Sequence, residues 1–250
     1  MAKDPKSDST ALTVFEDELA KLADAGVVAE RSTAGTAFMS TKGGILTYRD
    51  VPVAGNSVEV VIISSPIERL FYADRYDPTK VTGPACFALA AIGTGMSPSA
   101  TSPAIQNPTC MGCPKDEWGS APNGGRGKAC RETRRLLMIS ADSITTPESV
   151  ATVEVAALRP PVTSLKGFAT YLQTIATGMR RPLCGVVTKV GVVPDPKNQF
   201  RVEFQFVRAL DDVGTIKALI ERGARETENA IASAGMDPEQ APEVAPSSKF

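Results

Sequence analysis

Apolar positions along the chain change their period several times. In ALTVFEDELAKLADAGV, Leu12, Phe15, Leu19 and Leu22 recur at steps of three and four, the spacing of one helix face. Gly26 is placed to end that helix. After Gly43-Gly44 the period becomes two, and ILTYRDVPV and SVEVVIISS read as strands separated by the turn signal AGN. IERLFYADRYD extends the strand pattern until PTKVTGP breaks it. Residues 84–129 follow neither period and are rich in Gly, Pro, Ser, Ala and Asn. Strand patterns resume in RRLLMISA and ATVEVAALRP. PPVTSLKGFATYLQTIATGM reads as a helix, with Ser164 as N-cap, Leu165, Phe168, Leu172 and Ile175 as the apolar face, and Gly178 as the end. LCGVVTKVGVV and QFRVEFQFVRAL form a further strand pair across PDPKN. In the second of these, Phe200, Val202, Phe204 and Phe206 alternate with Arg201, Glu203 and Gln205. DDVGTIKALIERGARETENAIASAG is a closing helix.

These elements predict a mainly β chain with flanking helices, of the α+β class. Short connections favour antiparallel pairing. The pattern fits an OB-like antiparallel barrel with a helix between main strands and a zinc-knuckle insertion. The expected organisation is a flexible segment over 1–10, one domain over 11–235 with the insertion at about 84–130, and a flexible acidic tail over 236–250. An aperiodic stretch of this length needs something other than an apolar core to hold it.

Composition narrows the chemistry. The net charge is −1, which excludes a uniformly basic coat but leaves room for a local basic stripe. MAKDPKSDST carries no apolar signal segment, and no apolar run approaches the roughly 20 residues that span a bilayer. A cytoplasmic setting without a membrane partner is expected, where cysteines serve more often as metal ligands or free thiols than as disulfides. The chain has no histidine. Ser-His-Asp and Cys-His catalysis, HExxH metalloproteases and the usual zinc deaminases are thereby excluded. No nucleophile–base pair or paired carboxylates are legible, so the expectation is a binding protein rather than an enzyme.

Three of the five cysteines lie in CMGCPKDEWGSAPNGGRGKAC, at Cys110, Cys113 and Cys130. With Cys86 upstream they make a close C-x2-C pair and two distant partners, the arrangement of a closed tetrahedral thiolate site for structural zinc. A redox pair and an iron–sulfur site are the alternatives. Other candidates for the fourth ligand are Cys184 and Asp116, although LCGVVTKV places Cys184 as a small core residue. NGGRGK lacks the P-loop pattern and reads either as the turn of a knuckle or as a turn approaching a phosphate.

Between Lys115 and Arg135 the chain carries six basic residues, Lys115, Arg126, Lys128, Arg131, Arg134 and Arg135, together with its only tryptophan, Trp118. An aromatic platform among cations suits single-stranded nucleic acid: bases stack on the ring and the cations follow the phosphates. Tyr72 and Tyr76, on the strand-like stretch that also holds Phe71, are further stacking candidates. Cover for a metal site and core packing are the competing roles for these rings.

The motifs P-x-C at Pro84–Cys86, C-x2-C-P-x4-G-S at Cys110–Ser120 and G-R-G-K-A-C-x3-R-R-L at Gly125–Leu136, with the later PPVTSLKGFATYL and VVTKV, resemble a group of bacteriophage-type single-stranded DNA-binding proteins. The resemblance spans roughly residues 45–210. It implies an OB-like core with an inserted zinc module, and zinc on Cys86, Cys110, Cys113 and Cys130. It further implies that the nearby basic and aromatic residues face DNA, and a place in replication or recombination in a host cytoplasm. One departure is the apolar FALAAIGTGM after the first cysteine. Replication or recombination proteins are expected partners of the acidic tail. The competing expectation is a structural or adaptor protein, of a virion or a transcription complex, that uses the knuckle to dock protein.

Overall fold

The protein is described by a computed structural model covering residues 37–74, 82–122 and 125–234. The chain divides into two units, Met1–Thr36 and Ala37–Phe250, and the described residues belong to the second. The helix expected over Leu12–Leu22, Tyr76 and the acidic tail lie outside them.

The unit is mainly β. Eleven strands are described: β1 (Ala37–Ser40), β2 (Thr47–Tyr48), β3 (Val51–Pro52), β4 (Ser57–Ser64), β5 (Ile67–Phe71), β6 (Cys86–Ala90), β7 (Cys130–Arg134), β8 (Leu136–Ser140), β9 (Ala156–Leu158), β10 (Val186–Asp195) and β11 (Gln199–Ala209). Two α-helices accompany them, α1 (Val162–Gln173), continued by a π-helical turn over Thr174–Gly178, and α2 (Val213–Ala232). An eight-stranded sheet runs in the order β11-β10-β4-β8-β9-β1-β2-β3, and a three-stranded sheet runs β6-β5-β7. Pairing is antiparallel throughout except between β1 and β9, which run parallel. The stretch expected as one strand, ILTYRDVPV, is the hairpin β2–β3. Its turn residues Arg49 and Asp50 both have positive φ, as the tight hairpin turns of right-twisted strands require.

The large sheet curls back on itself. Asn56 ties the loop after β1 to β10: its Oδ1 accepts from Leu46 N, and its Nδ2 donates to Gly44 O and Val192 O. Inside the curl, Met39, Leu46, Val60, Ile62, Leu136, Met138, Leu158, Val190 and Val202 pack with Phe168 of α1. The opposite face packs Val61, Ile63, Leu137, Ile139 and Val187 against Leu219 and Ala230 of α2 and against Leu70 and Phe87 of the small sheet. This double cover explains why Leu136–Ile139 are buried without alternation.

Both helices are set by close contacts with the sheet. Ser164 is not the N-cap of α1; that position is Pro161, with no side-chain cap. Ser164 is instead buried in the first turn and accepts a hydrogen bond from Val202 N on the edge strand β11. A sheet edge exposes such unpaired N–H groups, and the helix covers this one. The buried face of α1 is Ser164, Phe168 and Tyr171, followed by Ile175 in the π turn, with Leu165 and Leu172 half-buried. In α2, Asp212 caps the N-terminus by accepting from Thr215 N, and Gly223 lies so near β4 that a Cβ would overlap the Ile63 carbonyl oxygen.

Two corners carry the chain between the sheets. At Pro66 it leaves β4 for β5, and at Arg135 it passes from β7 to β8. The two corners bond to each other, Arg135 N donating to Pro66 O at 3.0 Å. RRLLMISA, expected as one strand, therefore belongs to two sheets. The aperiodic stretch also contains a strand: CFALA is β6, and its apolar run is what the small sheet buries. The rest of the insertion is tied down by backbone bonds, Ser99 N to Phe87 O, Ala104 N to Ala85 O and Cys110 N to Met96 O.

Candidate functional site

In the small sheet, Phe71 pairs with Cys86 on one side and with Cys130 on the other. Directly opposed residues of antiparallel strands share a face, so Cys86, Phe71 and Cys130 lie in one row on one face. Ile67 and Arg69 share that face by alternation. The insertion lies over it: Met96 and Cys110 pack on Ile67 and Ala88. Cys110 and Cys113 come from the turn over this face, where Gly112 takes positive φ. One cavity is lined by all four thiols together with Arg69, Phe71 and Asp116. All four cysteines are free thiols. As they stand, no group of three or more Cys, Asp or Glu side chains among the described residues is drawn together closely enough to hold a metal ion.

The four cysteines are the residues that could hold a thiolate-binding cation, which would have to displace their protons. Burial pushes the Cys130 thiol up to about 12, with Asp116 adding to the rise and Arg69 opposing it. Burial also raises Cys110, with Arg69 opposing the rise and Cys86, Cys113 and Asp116 adding to it. Cys184 is removed from the question: it packs in the main core with Val187 and Leu219. Asp116 lines the cavity, but both its oxygens are engaged, Oδ2 by Arg69 Nη1 at 3.1 Å and Oδ1 by Lys128 Nζ at 3.0 Å. Of Cys86, Cys184 and Asp116, Cys86 is the candidate fourth ligand that lines the cavity and has no ion-pair partner among the described residues.

Of the nine residues expected to face nucleic acid, Tyr76 lies outside the described residues, and the other eight do not form one surface. Trp118 is 79% exposed at the tip of the module, with Lys128 Nζ 5.7 Å from its ring centroid. Arg126 is exposed in the same turn. Lys115 is half-buried, its ammonium 5.1 Å from the Phe71 ring. Arg134 is half-buried and donates to Ser65 O. Arg131 is exposed but pairs with Leu70, which places it on the opposite face of the small sheet. Tyr72 is half-buried against the main core, and burial raises its hydroxyl.

Arg135 departs from the expectation outright. It sits at the corner between the sheets, 2% exposed, paired with the buried Glu68. Glu68 also accepts from Arg159 Nε at 2.6 Å and Nη2 at 3.0 Å. The Phe38 ring lies 5.4 Å from the Arg135 guanidinium carbon and 4.3 Å from that of Arg159. Burial works against ionisation of Glu68, but the two arginines outweigh it and hold the carboxyl below its usual range. Counting basic residues cannot separate this arginine from its surface neighbours.

Sequence reasoning missed Arg69. Its Nη1 donates to the Cys110 carbonyl at 3.2 Å as well as to Asp116, while Nε and Nη2 hold Glu132 at 3.1 and 2.7 Å. The signal was its strand parity with Ile67 and Phe71.

Comparison with known proteins finds no family model, curated protein or solved structure that matches this chain. Among the described residues, no helix is long and apolar enough to cross a membrane.

Proposed function

We propose that the chain is a single-stranded DNA-binding protein that coats exposed strands without sequence preference during replication or recombination in a cytoplasm, as the bacteriophage-type proteins its cysteine block resembles are held to do. The observation that carries this reading is Trp118, 79% exposed on a tied-down module with Lys128 against its ring and Arg126 exposed in the same turn. A ring so placed gains about 1–3 kcal/mol for each base stacked on it, whatever the base. The curl of the large sheet supports an OB-like core, and the convergence of Cys86, Cys110, Cys113 and Cys130 supports structural zinc. Zinc would close the four thiols into one tetrahedron and supply folding energy to an insertion that lacks a large core of its own. No open coordination position is then left for chemistry, so the role is binding rather than catalysis, with protein partners of replication or recombination reached through the tail.

Trp118 fluorescence tests this reading. Titration with single-stranded oligonucleotides is expected to quench the emission, with affinity falling steeply as salt rises, and a zinc chelator is expected to abolish the response. An unchanged spectrum with and without chelator refutes it. Replacing Arg126 with Gln is expected to lower the salt slope by about one.

A second reading, a docking module for protein in a virion or a transcription complex, is favoured by the exposure of Ile92, Ile105 and Met111, as well as Trp118, within the insertion. It predicts no oligonucleotide binding even at low salt.

A further inference from the structure

Asp116 stands between the cysteine module and the aromatic tip, and both its oxygens are used. Oδ2 accepts from Arg69, a residue anchored in β5 that also holds Glu132 on β7 and the Cys110 carbonyl. Oδ1 accepts from Lys128, whose ammonium lies over the Trp118 ring. The three side chains of this relay are largely shielded: 15% exposed for Arg69, 18% for Asp116 and 33% for Lys128. Trp118 itself is 79% exposed, so packing does little to orient it. The cation against its ring is the contact that can. A lysine is a point charge on a flexible stem and holds a place only when something holds its ammonium.

We infer that Asp116 is a positioning residue of a one-sided base platform: it fixes Lys128 against one face of Trp118 and leaves the other face for a single nucleobase. The inference rests on the nucleic-acid reading above and adds to it. Lys128 changes role as a result, from phosphate contact to support for the ring, and Arg126 becomes the cation of this turn that is placed for the backbone.

Simple electrostatics makes the opposite forecast, which makes the idea testable. Removing an acid beside a strand of phosphates should tighten binding, as should releasing a lysine to solvent. If Asp116 positions the platform, Asp116→Asn weakens binding instead, by about fivefold to tenfold, the size of an ordinary pairwise coupling. The test uses the full chain loaded with one equivalent of Zn2+ and titrated with a single-stranded oligothymidine. Zinc content and the melting curve are recorded alongside the affinity.

Lys128→Met should match the loss, and the double variant should lose no more than either single one. The steady-state anisotropy of Trp118 in the free protein should fall in both. Binding by Asp116→Asn that is as tight as wild type or tighter, with unchanged Trp118 anisotropy, overturns the proposal. If Asp116→Asn fails to fold or to hold zinc, Lys128→Met decides alone, because it leaves the Arg69–Asp116 pair intact; unchanged anisotropy there overturns the proposal equally. Trp118→Ala separates the two levels: unaltered affinity in that variant sinks the nucleic-acid reading itself.

Discussion

Replacing Arg135 should damage the fold, not the nucleic-acid surface. The side chain is 2% exposed and its partner Glu68 is also 2% exposed, so the pair is cut off from water. Breaking a buried ion pair costs about 3–5 kcal/mol because one charge is left uncompensated. The arrangement here sets where in that range each change falls. Arg135→Met leaves Glu68 still held by two bonds from Arg159, and methionine keeps some of the volume beside Phe38. We therefore expect about 3 kcal/mol for Arg135→Met, the lower end of the range. Glu68→Gln leaves two guanidinium groups facing each other around Phe38, so about 4–5 kcal/mol is expected. For a unit of this size the smaller loss lowers the melting temperature by about 6–12 °C. Urea unfolding gives the stability directly, and oligonucleotide affinity measured well below the melting temperature should be unchanged.

The pH dependence follows from the depressed carboxyl of Glu68. A folded-state pKa below the unfolded one gives stability that is present above the unfolded value and is lost as pH falls through the folded value. The gap between wild type and Glu68→Gln should therefore be full at neutral pH and shrink below about pH 4. Two results would refute this reasoning. One is Arg135→Met melting within about 0.5 kcal/mol of wild type. The other is loss of oligonucleotide affinity with stability intact.

Two further predictions concern the cysteines and the helix contact. Cys86→Ser should abolish stoichiometric zinc binding, measured by thiol-competitive metal release, whereas Cys184→Ala should leave metal content unchanged and cost about 1 kcal/mol of stability through the main core. Gly223→Ala should destabilise the chain in a thermal melt even though alanine favours a helix by about 1 kcal/mol, because its Cβ would meet the Ile63 carbonyl and overpacking costs about 1–3 kcal/mol; a higher melting temperature would show that α2 does not approach β4 so closely.

Local patterning was enough for much of the secondary structure. Strand patterning marked β4, β10 and β11, most plainly by alternation in β11, and three-and-four spacing marked α1, whose apolar face repeats with the helix period, whereas β4 and β10 are buried on both faces. The spacing of the cysteines, together with the aperiodic stretch between them, pointed to a cross-tied module, since four reactive side chains in a chain segment without a core have few other uses. Tertiary structure decided what parity alone could not. It split one apparent strand at Arg135 between two sheets, and so turned a basic residue of an expected DNA face into half of a buried ion pair. It drew Ser164 from the helix cap to the sheet edge. It also put Arg131 on the face of the small sheet opposite Cys86 and Cys130, because strand register, which depends on which neighbours pair, fixes the face each side chain takes.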